Sequence, residues 1–159
     1  MPILGYNFGA NNRKRFLQTF RLSLGVAFVI MMAGTALFQV APGWLLSLFN
    51  AGEDMLRIGQ LALRIISLAF VGAAFGIIIS TMYQSIGHGF KSMLMSLLRQ
   101  LIVLLPAAWL LGRLGGLDAV WWAFPIAEYI TLVVFAPIAV VTVRREFEKK
   151  DPAQSSPHG

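Results

Sequence analysis

Leu22 to Val40 is a run of 19 residues without a charge, and no other feature constrains the chain more. An α-helix rises 1.5 Å per residue, so about 20 such residues cross a hydrocarbon layer of about 30 Å. A second uncharged run extends from Ile65 to Gly87. A third goes from Gln100 to Leu111 and reaches back to Ser92 if Arg99 is tolerated, and a fourth from Ala119 to Val143 carries Glu128 alone. The spans predicted are therefore about 22–42, 61–87, 92–112 and 119–143. Composition agrees: of 159 residues 57% are hydrophobic and 13% charged, where a soluble domain carries about 25% charged residues. Disorder needs the opposite balance. The lack of cysteine excludes disulfides, thiol catalysis and cysteine-bound metal. The expected class is an all-α, polytopic membrane helix bundle.

Four spans place both ends of the chain on one side. By that topology Arg13, Lys14, Arg15, Arg21, Lys91, Arg144, Arg145, Lys149 and Lys150 share one side, while Arg57 and Arg113 lie on the other. Basic residues concentrate in cytoplasmic loops, so both termini are expected to be cytoplasmic in a multi-pass inner (plasma) membrane protein. Arg64 and Arg99 sit inside span ends, where a long stem lets the charge reach the headgroups. The net charge of +6 thus faces anionic lipid, and no nucleic-acid surface of basic and aromatic residues is present. Pro42-Gly43 ends the first span, and Trp44 to Phe49 is too short to cross. Asn50-Ala51-Gly52 follows it as a turn. Trp44, Trp121 and Trp122 fall near outer span ends, where indole rings anchor at headgroup level. Residues 151–159 read as a polar cytoplasmic tail.

The chain opens on Met1-Pro2-Ile3-Leu4-Gly5-Tyr6-Asn7-Phe8-Gly9-Ala10, apolar and glycine-rich but too short to span, like the end of a helix. The stretch PILGYNFGANNRKR (Pro2 to Arg15) resembles the helix end and cytoplasmic loop after the eighth helix of multidrug and toxic compound extrusion (MATE) transporters. The resemblance continues through MYQSIGHG (Met82 to Gly89), SLLRQLIVLLPAAWLL (Ser96 to Leu111) and GLDAVWWAFPIAEYI (Gly116 to Ile130), in the order of that family's last three helices. It covers roughly residues 1–150. What it implies is the C-terminal third of a twelve-helix exporter of cationic or amphipathic compounds, driven by H+ or Na+ and acting by alternating access with a missing N-terminal lobe. Two alternatives stay open: a lipid-linked oligosaccharide or lipid flippase of related architecture, and a truncated, non-transporting membrane protein.

Within this resemblance Pro2, Gly5, Asn7, Gly9, Arg15, Gly87, Arg99, Pro106 and Pro125 fall on motif positions with structural roles. Gly5, Asn7 and Gly9 are expected to accept the left-handed backbone that closes a helix. Pro106, Pro125 and Pro137 each free a carbonyl inside a span, giving a bend or an acceptor. Gly72 and Gly76 form a small-xxx-small pair for close helix approach.

Glu128 is the only acid inside a predicted span. An ionisable group there is costly enough to point to function, and it is the candidate coupling-ion acceptor. The competing role is partner to an arginine, but counting 1.5 Å per residue places it about 11 Å deeper than Arg99, so direct pairing is expected to be strained. Leu61 to Ile86 contains no Asp or Glu, which weakens a sodium site of the family type. Gln84, Gln100, Tyr129 and Trp121 are candidates to line a path for a polar cation. No catalytic or metal-binding constellation is present: His88 lies in a loop, His158 in the tail, and no aspartate is inside a span. No cofactor beyond the coupling ion is implied.

Overall fold

A computed structural model describes residues 1–49 and 52–150. The expected turn at Asn50-Ala51 and the tail 151–159 with His158 lie outside these. The described chain is helical throughout: α1 (Pro2–Gly9), α2 (Arg13–Val40), α3 (Pro42–Ser47), α4 (Glu53–Ser67), α5 (Ala69–Ser85), α6 (Gly89–Leu97), a π-helical segment (Leu98–Leu104), α7 (Leu105–Val120) and α8 (Ala123–Lys149). Three helical stretches are long and apolar enough to cross a membrane, Arg13–Val40, Gly89–Val120 and Ala123–Lys149, and the bent pair α4–α5 makes a fourth. The chain is a multi-pass membrane bundle. Its outer surface is apolar as lipid requires, with Val29, Val133 and Val140 each about two-thirds exposed or more.

The second predicted span is not one helix. It bends by 47° between α4 and α5 because the Ser67 hydroxyl donates back to the Arg64 carbonyl at 2.8 Å, a local bond that competes with the helical ladder. Backbone groups freed at this depth need partners, and neighbouring helices supply them. Gln39 Nε2 donates to Arg64 O at 2.8 Å and to Ser67 Oγ at 3.1 Å, Thr35 Oγ1 to Ser67 O at 3.0 Å, and the Tyr129 hydroxyl to Leu68 O at 3.1 Å.

The third span is also irregular. Pro106 sits in the first turn of α7, where its ring conflicts with the carbonyl one α-turn back; the preceding segment widens to i→i+5 spacing and removes the conflict. Gly116, at φ 69°, breaks the outer end of α7, a conformation suited to glycine. Pro125 corrects the sequence reading. It lies in the first turn of α8, where a missing N–H costs nothing, because the chain breaks at Trp121-Trp122; only Pro137 is interior to that helix.

α5 and α8 run parallel toward the end that holds α1 and the start of α2. There Leu4, Phe16, Ile79, Met82, Tyr83, Phe135, Val143 and Phe147 form a buried core. Further along, Gly72 lets α8 approach closely: a Cβ built there meets the Glu128 Cβ at 3.0 Å, whereas one at Gly76 meets its nearest atom, Glu128 Oε2, at 3.6 Å. Gly72→Ala is therefore expected to destabilise by about 1–2 kcal/mol through overpacking. Gly76→Ala is expected to be neutral or to gain up to about 1 kcal/mol from helix propensity. Thermal melts of the two variants in detergent check this; the reverse order would show that α5 and α8 do not pack through Gly72.

Candidate functional site

The site is built where α5, α6 with its π-helical continuation, and α8 meet. Arg99 Nη1 donates to Glu128 Oε1 at 2.7 Å, so the pair judged strained from depth is formed directly. The depth count follows backbone positions along ideal helices, whereas the long arginine stem carries its guanidinium well away from the level of its own Cα. The Glu128 side chain is 15% exposed and that of Arg99 30%, so the carboxylate is the more enclosed partner. Widening at Leu98–Leu104 re-aims side chains within a helix, and π-segments recur at functional sites.

Below the pair lies a cavity of about 260 Å³ lined by Gly76, Ile77, Ser80, Thr81, Gln84, Met95, Ser96 and Arg99. Its lower wall is a polar chain. Gln84 Nε2 donates to Ser92 Oγ at 3.0 Å, the Ser92 and Ser80 hydroxyls share a hydrogen bond, and Ser96 Oγ donates to the Ser92 carbonyl. Small-molecule pockets measure about 300–1,000 Å³, so this cavity is smaller than a typical drug site.

Of the residues singled out for lining, Gln84 lines this cavity. Gln100 is exposed on the bundle surface. Tyr129 caps the broken second span, and Trp121 stands at the α7–α8 break with a buried Nε1 that lacks a partner among the described residues. Sequence reasoning missed Ser92, and it missed Thr35 and Gln39. The last two were visible as a polar pair four residues apart on an otherwise apolar helix face.

The N-terminal motif folds as a turn between α1 and α2, though not as expected. Gly5, Asn7 and Gly9 do not adopt left-handed backbone; Asn11 does, at φ 51°, a conformation asparagine tolerates. Asn7 is buried and bonds back to Ile3 O at 2.9 Å. Gly5 lies against the Ser85 carbonyl, Gly9 touches nothing beyond its own turn, and Pro2 occupies the first turn of α1. Asn12 caps α2 by accepting from the Arg15 N–H at 3.0 Å. Gly87, at φ 83°, turns α5 into α6.

That turn is held to the end of α8. His88 Nε2 lies 3.3 Å from Glu146 Oε1, and Lys149 Nζ lies 2.8 Å from the same oxygen. The hydrogen bond from Lys149 holds the Glu146 carboxyl below the usual glutamate range, with His88 adding to it.

Residues 1–110 match the family model described as MatE. The chain is 27% identical over 148 residues to the multidrug export protein MepA of Staphylococcus aureus strain MSSA476, covering 92% of this chain and 32% of that protein. It is 25% identical over 141 residues to MepA of Staphylococcus haemolyticus strain JCSC1435, covering 89% and 30%. Among solved structures, an inward-facing multidrug resistance MATE family transporter of the MOP superfamily superposes with a TM-score of 0.86 at 22% identity, over 98% of this chain and 35% of that one. An outward-facing one gives 0.84 at 23% identity, over 93% and 33%. The chain thus spans about a third of the length of these relatives, and the likeness of fold extends over nearly all of it. It belongs to the MatE family of membrane transporters.

Proposed function

We propose that this chain forms part of the second lobe of a secondary active exporter that moves cationic or amphipathic compounds outward in exchange for H+ or Na+. The supporting observation is the Arg99–Glu128 pair, whose arginine lines a polar cavity, in a chain of a transporter family. Glu128 is the proposed acceptor of the coupling ion. A proton or Na+ at Glu128 replaces Arg99 as its counter-charge, and the freed guanidinium turns into the cavity beside Gln84 and Ser96; loss of the ion restores the pair. Two charge arrangements of one site can bias two conformations of the bundle. The cavity is completed by a lobe outside this chain, and the end rich in lysine and arginine faces the cytoplasm, as basic-residue placement favours. A lipid-linked oligosaccharide or lipid flippase would be favoured by a cavity richer in arginine; among the described residues Arg99 is the one arginine lining this cavity, which favours drug export.

Ethidium export from everted vesicles holding the full-length transporter, driven in turn by a pH or a Na+ gradient, tests this reading. Glu128→Gln is expected to lower gradient-driven export at least tenfold while ethidium still binds. Unchanged coupled export in that variant would remove Glu128 from the coupling role.

A further inference from the structure

A second cavity, of about 450 Å³, opens at the basic end of the bundle between the first turn of α6 and the last turns of α8, lined by Lys91, Pro137, Ile138, Val141, Thr142, Arg145, Glu146 and Lys149. The α8 residues recur at three- and four-residue intervals and form one stripe along that helix. The stripe changes character along its length. Pro137, Ile138 and Val141 make an apolar upper part, with Ile138 and Val141 nearly half exposed. Thr142 follows, and Arg145 and Lys149 end it, with Lys91 facing them from α6.

No charged residue lies between Glu128 and Arg144 on this helix, so Arg145 is at the depth where hydrocarbon gives way to headgroups. Glu146, the single acid in the lining, is already bound to Lys149 at 2.8 Å and faces His88. Lys91 and Arg145 have no ion-pair partner among the described residues. The cavity thus offers cationic groups to a phosphate and an exposed apolar groove to whatever is attached to it. That sequence of chemistry is that of an anionic phospholipid, whose headgroup meets basic pockets between transmembrane helices.

We infer that this cavity binds one anionic phospholipid, its phosphate held between Lys91 and Arg145 and an acyl chain laid along Pro137, Ile138 and Val141. The lipid bridges α6 and α8 beside the His88–Glu146 contact, holding together the two helices that carry Arg99 and Glu128. The inference rests on this end lying at a membrane surface and is independent of what the protein transports.

Native mass spectrometry of the full-length protein, titrated separately with dioleoylphosphatidylglycerol, dioleoylphosphatidylcholine and inorganic phosphate, tests it. One phosphatidylglycerol is expected to bind at least tenfold more tightly than phosphatidylcholine. Lys91→Gln and Arg145→Gln are each expected to weaken it about fivefold, and Lys91→Arg with Arg145→Lys to retain it, since the charge is kept. Arg13→Gln with Lys14→Gln, which removes two positive charges outside the cavity, is expected to leave it unaltered. Equal binding of the two lipids, an equal loss in the Arg13/Lys14 variant, or a groove filled by another part of the chain so that no lipid adduct depends on Lys91 and Arg145 would each overturn the site. Inorganic phosphate binding as tightly as the lipid, with the same sensitivity to Lys91 and Arg145, would make it a site for free anions and overturn the lipid assignment.

Discussion

Arg99→Gln is expected to lower the stability of the detergent-solubilised protein by about 2–3 kcal/mol, and the double variant Arg99→Gln, Glu128→Gln by clearly less than the sum of the two single changes. The reason is the asymmetry of a buried ion pair. Its desolvation cost roughly cancels its attraction, so the pair adds little net stability, but deleting one member leaves the other enclosed without compensation, at about 3–5 kcal/mol in a fully buried site. The lower figure applies here because the Arg99 head is 30% exposed to the cavity. Glu128→Gln is expected to cost less than Arg99→Gln: a freed guanidinium shares its cavity with Gln84 and Ser96, whereas a freed carboxylate, 15% exposed against Gly76, has no other ion-pair partner among the described residues. For a chain of this size the Arg99→Gln loss corresponds to a fall of about 5–10 °C in the melting midpoint. Thermal melts of the four proteins give the coupling energy. Additive changes would show that the two charges do not interact in solution, and the switch proposed for Glu128 would lose its basis.

Much of the architecture is legible in the sequence because lipid imposes a simple rule, an uncharged run about 20 residues long for each crossing. What the rule cannot convey is where such a run stops being helical. Ile65 to Gly87 reads as one apolar segment, and the bend at Ser67 depends on acceptors and donors brought from elsewhere: Thr35 and Gln39 from α2 and Tyr129 from α8. A serine that breaks one helix is tolerated in a straight one; the difference lies in partners distant in sequence. The same holds for the site. Glu128 announces itself as an acid inside a span, but depth counted along ideal helices hides its partner, because an arginine stem carries its charge away from the level of its own backbone. Gln84 borders the cavity, while Trp121, Tyr129 and Gln100 lie elsewhere in the described bundle, since residue type alone does not fix the helix face a side chain occupies. The first motif reads as a left-handed closure at its glycines and asparagine, but α1 runs on through Gly9 and the closure falls on Asn11.

Phe16→Ala is expected to have an effect at least as large as breaking the ion pair, about 3–4 kcal/mol. Phe16 is completely buried, and its ring centroid lies 5.3 Å from that of Phe147 and 6.3 Å from that of Phe8, with Phe8 and Phe147 in turn edge-to-face at 5.4 Å. Three helices, α1, α2 and α8, are joined by these three rings, each supplying one. Within hydrocarbon such a cluster would gain little from burial, since lipid is as apolar as the protein interior. This cluster lies among the basic residues at the end of the bundle, where water is the alternative environment and the hydrophobic effect acts in full. Lys150 closes it from outside: its ammonium stands 3.7 Å from the Phe8 ring centroid and donates to the Phe8 carbonyl at 2.7 Å, completing the end of α1 with a cation where the helix dipole is negative. Loss of the Phe16 ring therefore releases α1 and the turn at Asn11-Asn12, which carries the exposed tryptic sites Arg13, Lys14 and Arg15. Limited trypsin digestion of Phe16→Ala is expected to cut there at least tenfold faster than in the unaltered protein. Phe16→Leu, which keeps most of the volume, is expected to stay within threefold, and Val26→Ala, on the 52% exposed lipid-facing surface of the same helix, to change nothing. Unaltered cleavage and melting in Phe16→Ala would mean that α1 is held by its backbone contacts with α5 at Gly5 and Ser85, and not by the aromatic cluster.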